Sequence, residues 1–157
     1  MEFTNEDYIY NCLASAYMQL IAVKEKEEIT VNEVCRKAGV SRSGFYRLMG
    51  KKDYKQELFL YHGFAIGGVY FRIREDEAMA IKDLYRFLYR YQSYADIGVK
   101  KDESSFLSFL YLASKMVGGG GFHFLSLYPY IKTMVEEGFS KSEEEYLAIA
   151  LDRLGLK

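Results

Sequence analysis

Apolar positions along this chain recur at intervals of three and four residues, and no stretch sustains the in-and-out alternation of a strand. The pattern predicts an all-α protein. A first helix should start after Thr4, where Thr4 and Asp7 have capping-box spacing and Phe3 and Tyr8 can staple the end. Ile9, Leu13, Ala16, Tyr17, Leu20 and Ile21 give that helix one apolar face. The run KEKEE, from Lys24 to Glu28, reads as a polar helix end and connection. Thr30 and Glu33 repeat the capping-box spacing and open a short helix through about Lys37, with Val31, Val34, Cys35 and Ala38 inward. Gly39 stands where a helix closes in the left-handed region, which glycine enters without a Cβ penalty. Ser41 then caps a third helix through Met49, with Phe45 and either Leu48 or Met49 inward, and Gly50 ends it. A longer helix is predicted from about Lys52 into the low 70s.

Three or four further helices follow. Ile81, Leu84, Tyr85, Leu88 and Tyr91 form an apolar stripe, with Lys82, Arg86 and Arg90 on another side. Phe106, Phe109, Leu110, Ala113 and Val117 continue the period in a segment that is apolar nearly all round. The run Gly118 to Gly121 either breaks that helix or admits another backbone. A helix is predicted from Phe122 to Glu137, ended by Gly138, and a last one is capped by Ser142 and Glu145 with Leu147, Ala150, Leu151 and Leu154 inward. Met116 to Ile131 carries no charged residue, but its 16 residues fall short of a spanning helix and contain four glycines and Pro129. A bilayer requires about 20, so no membrane partner is expected.

Composition changes this reading in one respect. Half of the 157 residues are hydrophobic, enough for one packed domain or a module on a larger one. The 15 tyrosines and 11 phenylalanines suggest amphipathic contact surface as well as core. The formal charge is -1, but it is unevenly spread: RKAGVSRSGFYRLMGKK, Arg36 to Lys52, holds six basic residues and no acidic one. The remaining 15 basic and 22 acidic residues leave the rest of the chain at -7. A positive face on an acidic body points to an anionic partner. Cys12 and Cys35 are too few for a disulfide framework, and nothing at the N-terminus resembles a signal peptide, so a cytoplasmic protein is expected.

The two short helices around Gly39 have the spacing of a helix-turn-helix, in which the first helix crosses the DNA backbone and the start of the second enters the major groove. Short polar or cationic side chains are needed there. The chain supplies Ser41, Arg42, Ser43 and Gly44, with Tyr46 and Arg47 one turn on. Arg42 and Arg47 can bond guanine edges or phosphates, Tyr46 can donate to a phosphate, and Gly44 would let the duplex approach. Lys51 and Lys52 would combine charge with free N–H groups at the start of the next helix.

With these parts in this order, ITVNEVCRKAGVSRSGFYRLMGKKDY resembles the DNA-binding motif of the TetR family of bacterial regulators. The Thr-Val cap, the Ala-Gly-Val-Ser turn, the aromatic-Tyr pair and the Lys before the fourth helix stand in register, and with the first helix the likeness covers about residues 5–60. The ITVNEVC wording and the short chain are more weakly similar to a compact subgroup that includes regulators like the dihydroxyacetone kinase activator. Two departures stand out: Leu48-Met49 replaces the usual His and aromatic, and Ser43-Gly44 replaces a commoner Gly or Ser followed by Thr or Asn. The resemblance implies a DNA-binding domain over 1–52, with Thr30 in the DNA-facing set, and a helical effector-binding and dimerisation domain over 53–157. It further implies a homodimer on a near-palindromic double-stranded operator, joined through the last two helices, with Phe124, Leu127, Ile131, Leu147, Leu151 and Leu154 as interface candidates.

Candidates for lining a cavity for a small apolar or aromatic ligand are Tyr70, Tyr89, Tyr111, Tyr128 and His123, the last beside the glycine run. His62 and His123 are the only histidines, and no Cys/His/carboxylate spacing suggests a metal site. No cofactor is expected. No nucleophile-base pair, phosphate loop or carboxylate dyad is recognisable, which argues against an enzyme. The alternative is a homodimeric helical interaction module of the same fold that does not bind DNA.

Overall fold

A computed structural model describes residues 5–118 and 124–156, and all regular structure among them is helical. The chain divides into two compact units, Met1–Ala65 and Ile66–Lys157. In the first, α1 spans Asn5–Val23, α2 Val31–Ala38 and α3 Arg42–Met49, and α4 runs Tyr54–Gly67, its last two residues belonging to the second unit. The staple and cap expected at Phe3 and Thr4 lie outside the described residues.

Local chemistry sets the short helices. The Thr30 hydroxyl accepts from the Glu33 amide at 3.2 Å, and the Glu33 carboxylate accepts from the Thr30 amide at 3.1 Å, closing the capping box. Gly39 ends α2 at φ 71°, Ser41 caps α3 by accepting from the Gly44 amide at 3.0 Å, and Gly50 ends α3 at φ 56°. Leu13, Tyr17 and Ile21 of α1, Val34 of α2, Phe45 and Met49 of α3, and Leu58 and Phe59 of α4 are buried. Each such side chain contributes about 1.5–3 kcal/mol by leaving water. At the centre, the Tyr54 ring meets Phe45 edge-on at 5.1 Å and Tyr17 at 6.3 Å.

The α4 helix is shorter than the apolar pattern predicts. It starts at Tyr54, after Asp53, whose carboxylate accepts from the Gln56 amide at 3.3 Å, and it ends at Gly67, where the Tyr70 amide turns back to the Gly67 carbonyl at 2.8 Å. Close packing requires a glycine at that end: a Cβ on Gly67 would lie 2.7 Å from the Phe87 ring and 2.8 Å from that of Phe71.

In the second unit, α5 is Glu77–Arg90, α6 Gln92–Lys101, α7 Glu103–Val117, α8 Tyr128–Glu136 and α9 Glu143–Arg153. Phe109 stacks on Phe87 at 5.5 Å and meets Phe71 and Tyr94 edge-on at 5.6 and 5.2 Å, so an aromatic cluster ties α5, α6 and α7 to the segment after α4. Contacts of this kind are worth about 0.5–1.5 kcal/mol each beyond their buried area. The pattern gives little sign of α6, which buries only Tyr94, Ala95 and Gly98 and so lacks a stripe of large apolar residues. The helix expected from Phe122 is, in its described part, a 3-10 turn over Leu125–Leu127 followed by α8. Pro129 in the first turn of α8 has no N–H to donate, which suits a helix start and not an interior. Ser142 and Glu145 cap α9 reciprocally as expected, but its fully buried residues are Tyr146 and Ala150, while Leu147, Leu151 and Leu154 are half-buried. Phe139 sits at φ 56°, an uncommon value for a residue with a Cβ, and its ring packs edge-on against Tyr89 at 5.3 Å.

Gly98 marks a close approach of α6 and α7. A Cβ there would stand 2.6 Å from the ring of Phe106, which is fully buried, and 2.8 Å from its Cβ. Gly98→Ala is expected to lower stability by about 1–3 kcal/mol despite alanine's better helix propensity, read as a lower urea midpoint with an unchanged slope.

Candidate nucleic-acid interface

The face around α3 is built from its buried side outward. Phe45 and Met49 are 1% exposed, which leaves Arg42, Ser43, Tyr46 and Arg47 on the solvent side of the helix. Arg36 and Lys37 at the end of α2, and Lys51 and Lys52 in the turn before α4, are exposed beside it in the chain. None of these six cations takes part in an ion pair among the described residues. The charge that the sequence concentrates here is therefore not neutralised within the fold.

Three side chains on this face are held in place. The Tyr46 ring meets Phe45 edge-on at 5.2 Å and 89°, the Arg42 guanidinium carbon lies 5.9 Å from the Tyr46 ring centroid, and the Ser41 and Ser43 hydroxyl oxygens are 3.2 Å apart. Thr30, exposed at the start of α2, uses its hydroxyl in the capping box. Burial raises the Cys35 thiol above its ordinary pKa of 9.0, and the Arg42 charge works against that shift.

Two expectations change. Gly44 is buried, and a Cβ on it would lie 3.1 Å from the Ser41 hydroxyl and 3.6 Å from Val40, so the missing side chain serves the cap and the turn and does not open the face to a duplex. Lys51 and Lys52 precede α4 and do not begin it: the Lys52 amide donates to the Met49 carbonyl at 3.0 Å, and Asp53 takes the capping position. They offer side-chain charge without free helix amides.

Sequence reading missed two lysines that brace this face. Lys24 pairs with Glu33 at 2.5 Å, tying the end of α1 to the α2 capping box, and Lys55 donates to the Lys26 carbonyl at 2.6 Å. Both partners are distant in sequence, and KEKEE reads as a generic polar run. Burial, reinforced by the charges around it, pushes Tyr54 up to about 12, and the hydroxyl stays protonated and donates to the Ile29 carbonyl at 3.5 Å.

In the second unit the expected residues do not form one site. Tyr70 packs on Phe87 at 5.9 Å, Tyr89 donates to the Lys141 carbonyl, Tyr111 is 47% exposed under Lys115, and Tyr128 donates to Glu103 at 2.5 Å. His123 lies outside the described residues. A groove of about 300 Å³ lies between α8 and α9 instead, with Tyr130 and Thr133 on one side, Tyr146, Ile149 and Arg153 on the other, and the Glu137–Lys141 pair between them. Glu137 is held below the usual carboxylate value by the Tyr146 hydroxyl at 2.7 Å and then by Lys141. The interface candidates Phe124, Leu127 and Ile131 are fully buried within this unit, and Leu147, Leu151 and Leu154 are half-buried. For Phe124, Leu127 and Ile131, the apolar character reflects packing inside the unit. Among the described residues no helix is long and apolar enough to cross a membrane, and no group of three metal-ligating side chains stands together.

Comparison with family models, with curated proteins and with solved structures finds no significant match to this chain.

The brace at Glu33 has a pH signature. The hydrogen bond from Lys24, followed by that from the Thr30 amide, lowers its pKa below 4.5 in the folded protein. Its contribution is therefore present above the ordinary carboxylate range and is lost as pH falls through the lowered value. The thermal midpoint of Glu33→Gln should lie below that of the parent at neutral pH, and the gap should close toward pH 2. A gap independent of pH would rule out the ionic brace.

Proposed function

We propose that this chain is a DNA-binding transcriptional regulator of the TetR type, acting as a homodimer on a near-palindromic operator. The observation that carries the reading is the group of six exposed, unneutralised cations from Arg36 to Lys52, gathered around an eight-residue helix in a chain that is otherwise net negative. In this reading α2 and α3 act as a helix-turn-helix. Arg42, Ser43, Tyr46 and Arg47 face the major groove, and Lys51 and Lys52 attract phosphate as point charges. Thr30 and Ser41 hold the two helix starts in shape, and Gly44 supports the turn from inside. The likeness of the motif to the TetR pattern supports the assignment, and Leu48-Met49 is its least typical part.

Dimerisation belongs to the same proposal. It would use the outward faces of α8 and α9, around Tyr130, Thr133 and Ile149 together with the half-buried Leu147, Leu151 and Leu154, in place of the buried Phe124, Leu127 and Ile131. Two-fold symmetry would then pair two α3 helices with two half-sites. Repression is the mode we assign, with control by a small apolar or aromatic ligand bound in the second unit.

Neutralised phosphates release counterions, so affinity for duplex DNA should fall steeply with salt, with a log-log slope of about -0.9 per phosphate contacted. Fluorescence anisotropy between low and moderate salt measures that slope. Arg42→Ala and Lys52→Ala should each weaken binding, and Lys52→Ala should reduce the slope by about one. A flat response, or indifference to both substitutions, would favour the interaction module that does not bind DNA.

A further inference from the structure

The four outward side chains of α3 are not equivalent in how firmly they are held. Phe45 is 1% exposed and stands edge-on to Tyr54, and the Tyr46 ring stands edge-on to Phe45 at 5.2 Å. The half-buried Tyr54, the buried Phe45 and Tyr46, which is 45% exposed, thus form a row of rings, each edge-on to the next. Arg42, one turn earlier and at the first residue of α3, places its guanidinium 5.9 Å from that ring's centroid, within cation–π range. The contact draws Arg42 from the edge of the helix toward the middle of its outer face. Among the described residues Arg47 has no comparable ring contact, and Lys51 and Lys52 are flexible ammonium groups with no planar fork.

We infer that Arg42 is the specificity-determining residue of this face, that its target is a guanine edge in the major groove, and that Tyr46 is its positioning residue. The inference rests on the DNA-binding reading and assigns unequal roles within it. A guanidinium presents two parallel N–H donors that match guanine O6 and N7, a recognition that a lysine, or an arginine free to choose any phosphate, does not enforce. Immobilising a long arginine is costly, and the cation–π contact with Tyr46 reduces that cost before DNA arrives. Tyr46 on this account acts through its ring and not through its hydroxyl. Arg47, Lys51 and Lys52 supply attraction that is indifferent to sequence.

The test uses the full chain and a duplex selected by it from a randomised library, compared with a scrambled duplex and with copies carrying 7-deazaguanine at single guanines, which removes the N7 acceptor. One 7-deazaguanine should weaken the parent by roughly tenfold, the scale of a bidentate base contact, and should leave Arg42→Ala unaffected. Arg42→Lys keeps the charge and should keep the salt dependence, yet lose preference for the selected duplex. Tyr46→Phe should retain that preference, and Tyr46→Ala should lose it. Arg47→Ala should weaken selected and scrambled duplexes alike. Both Arg42 and Tyr46 are exposed, so these variants should fold, which circular dichroism checks. Discrimination surviving in Arg42→Lys, a 7-deazaguanine effect persisting in Arg42→Ala, or equal losses in Tyr46→Phe and Tyr46→Ala would each overturn the assignment. If the parent enriches no duplex and binds none, the DNA-binding reading fails with it. Strong but unselective binding overturns the role of Arg42 alone.

Discussion

Burial of the Phe45 ring against Tyr54 fixes which way α3 faces, and the surface chemistry of the first unit follows from it. An eight-residue helix has little stability of its own. Its orientation comes from Phe45 and Met49 packed inward and from two end signals, the Ser41 cap and Gly50 at positive φ. Truncating a buried phenylalanine typically costs about 3–5 kcal/mol, far more than any single contact on the exposed side could return. With Phe45 inward, Arg42, Ser43, Tyr46 and Arg47 have only the outer side left to them.

The surroundings of α3 are fastened by interactions of a different kind. Glu33 serves the Thr30 capping box and the Lys24 ion pair at once, and Lys55 is committed to the Lys26 carbonyl. These polar contacts are partly exposed and individually modest, but they sort the cations into two classes. Lys24 and Lys55 are engaged in structure, whereas the six from Arg36 to Lys52 have no acidic partner among the described residues. That division supports the proposed use of the latter for an external anion. In the second unit the Phe87–Phe109 cluster carries the packing, and the polar groups of the α8–α9 groove remain at the surface.

Much of this was legible because it is local. Thr30 with Glu33, Ser142 with Glu145, Ser41, Gly39 and Gly50 each satisfy orphan backbone groups within one turn, and spacing alone reveals them. What depended on distant residues was not. The Lys24–Glu33 pair, the Lys55 contact and the collision that forbids a side chain at Gly67 all join positions whose proximity no periodicity encodes. Apolar character without direction misled in two places. Phe124, Leu127 and Ile131 satisfy an interface pattern and a core pattern equally, and they lie in the core. The absence of a side chain at Gly44 suits either a ligand or a neighbouring cap, and here it serves the cap. Helix α6 escaped notice because small residues, Ala95 and Gly98, make its close contacts.

Residue-resolved NMR of the full chain, titrated with a short duplex at low salt, tests most directly whether the outer face of α3 is the site of contact. The account predicts that shifts concentrate on Thr30, Ser41 to Arg47 and Lys51-Lys52, include the Arg42 side-chain signals, and recede as salt is raised. No shifts, or shifts confined to residues of the second unit, would contradict it.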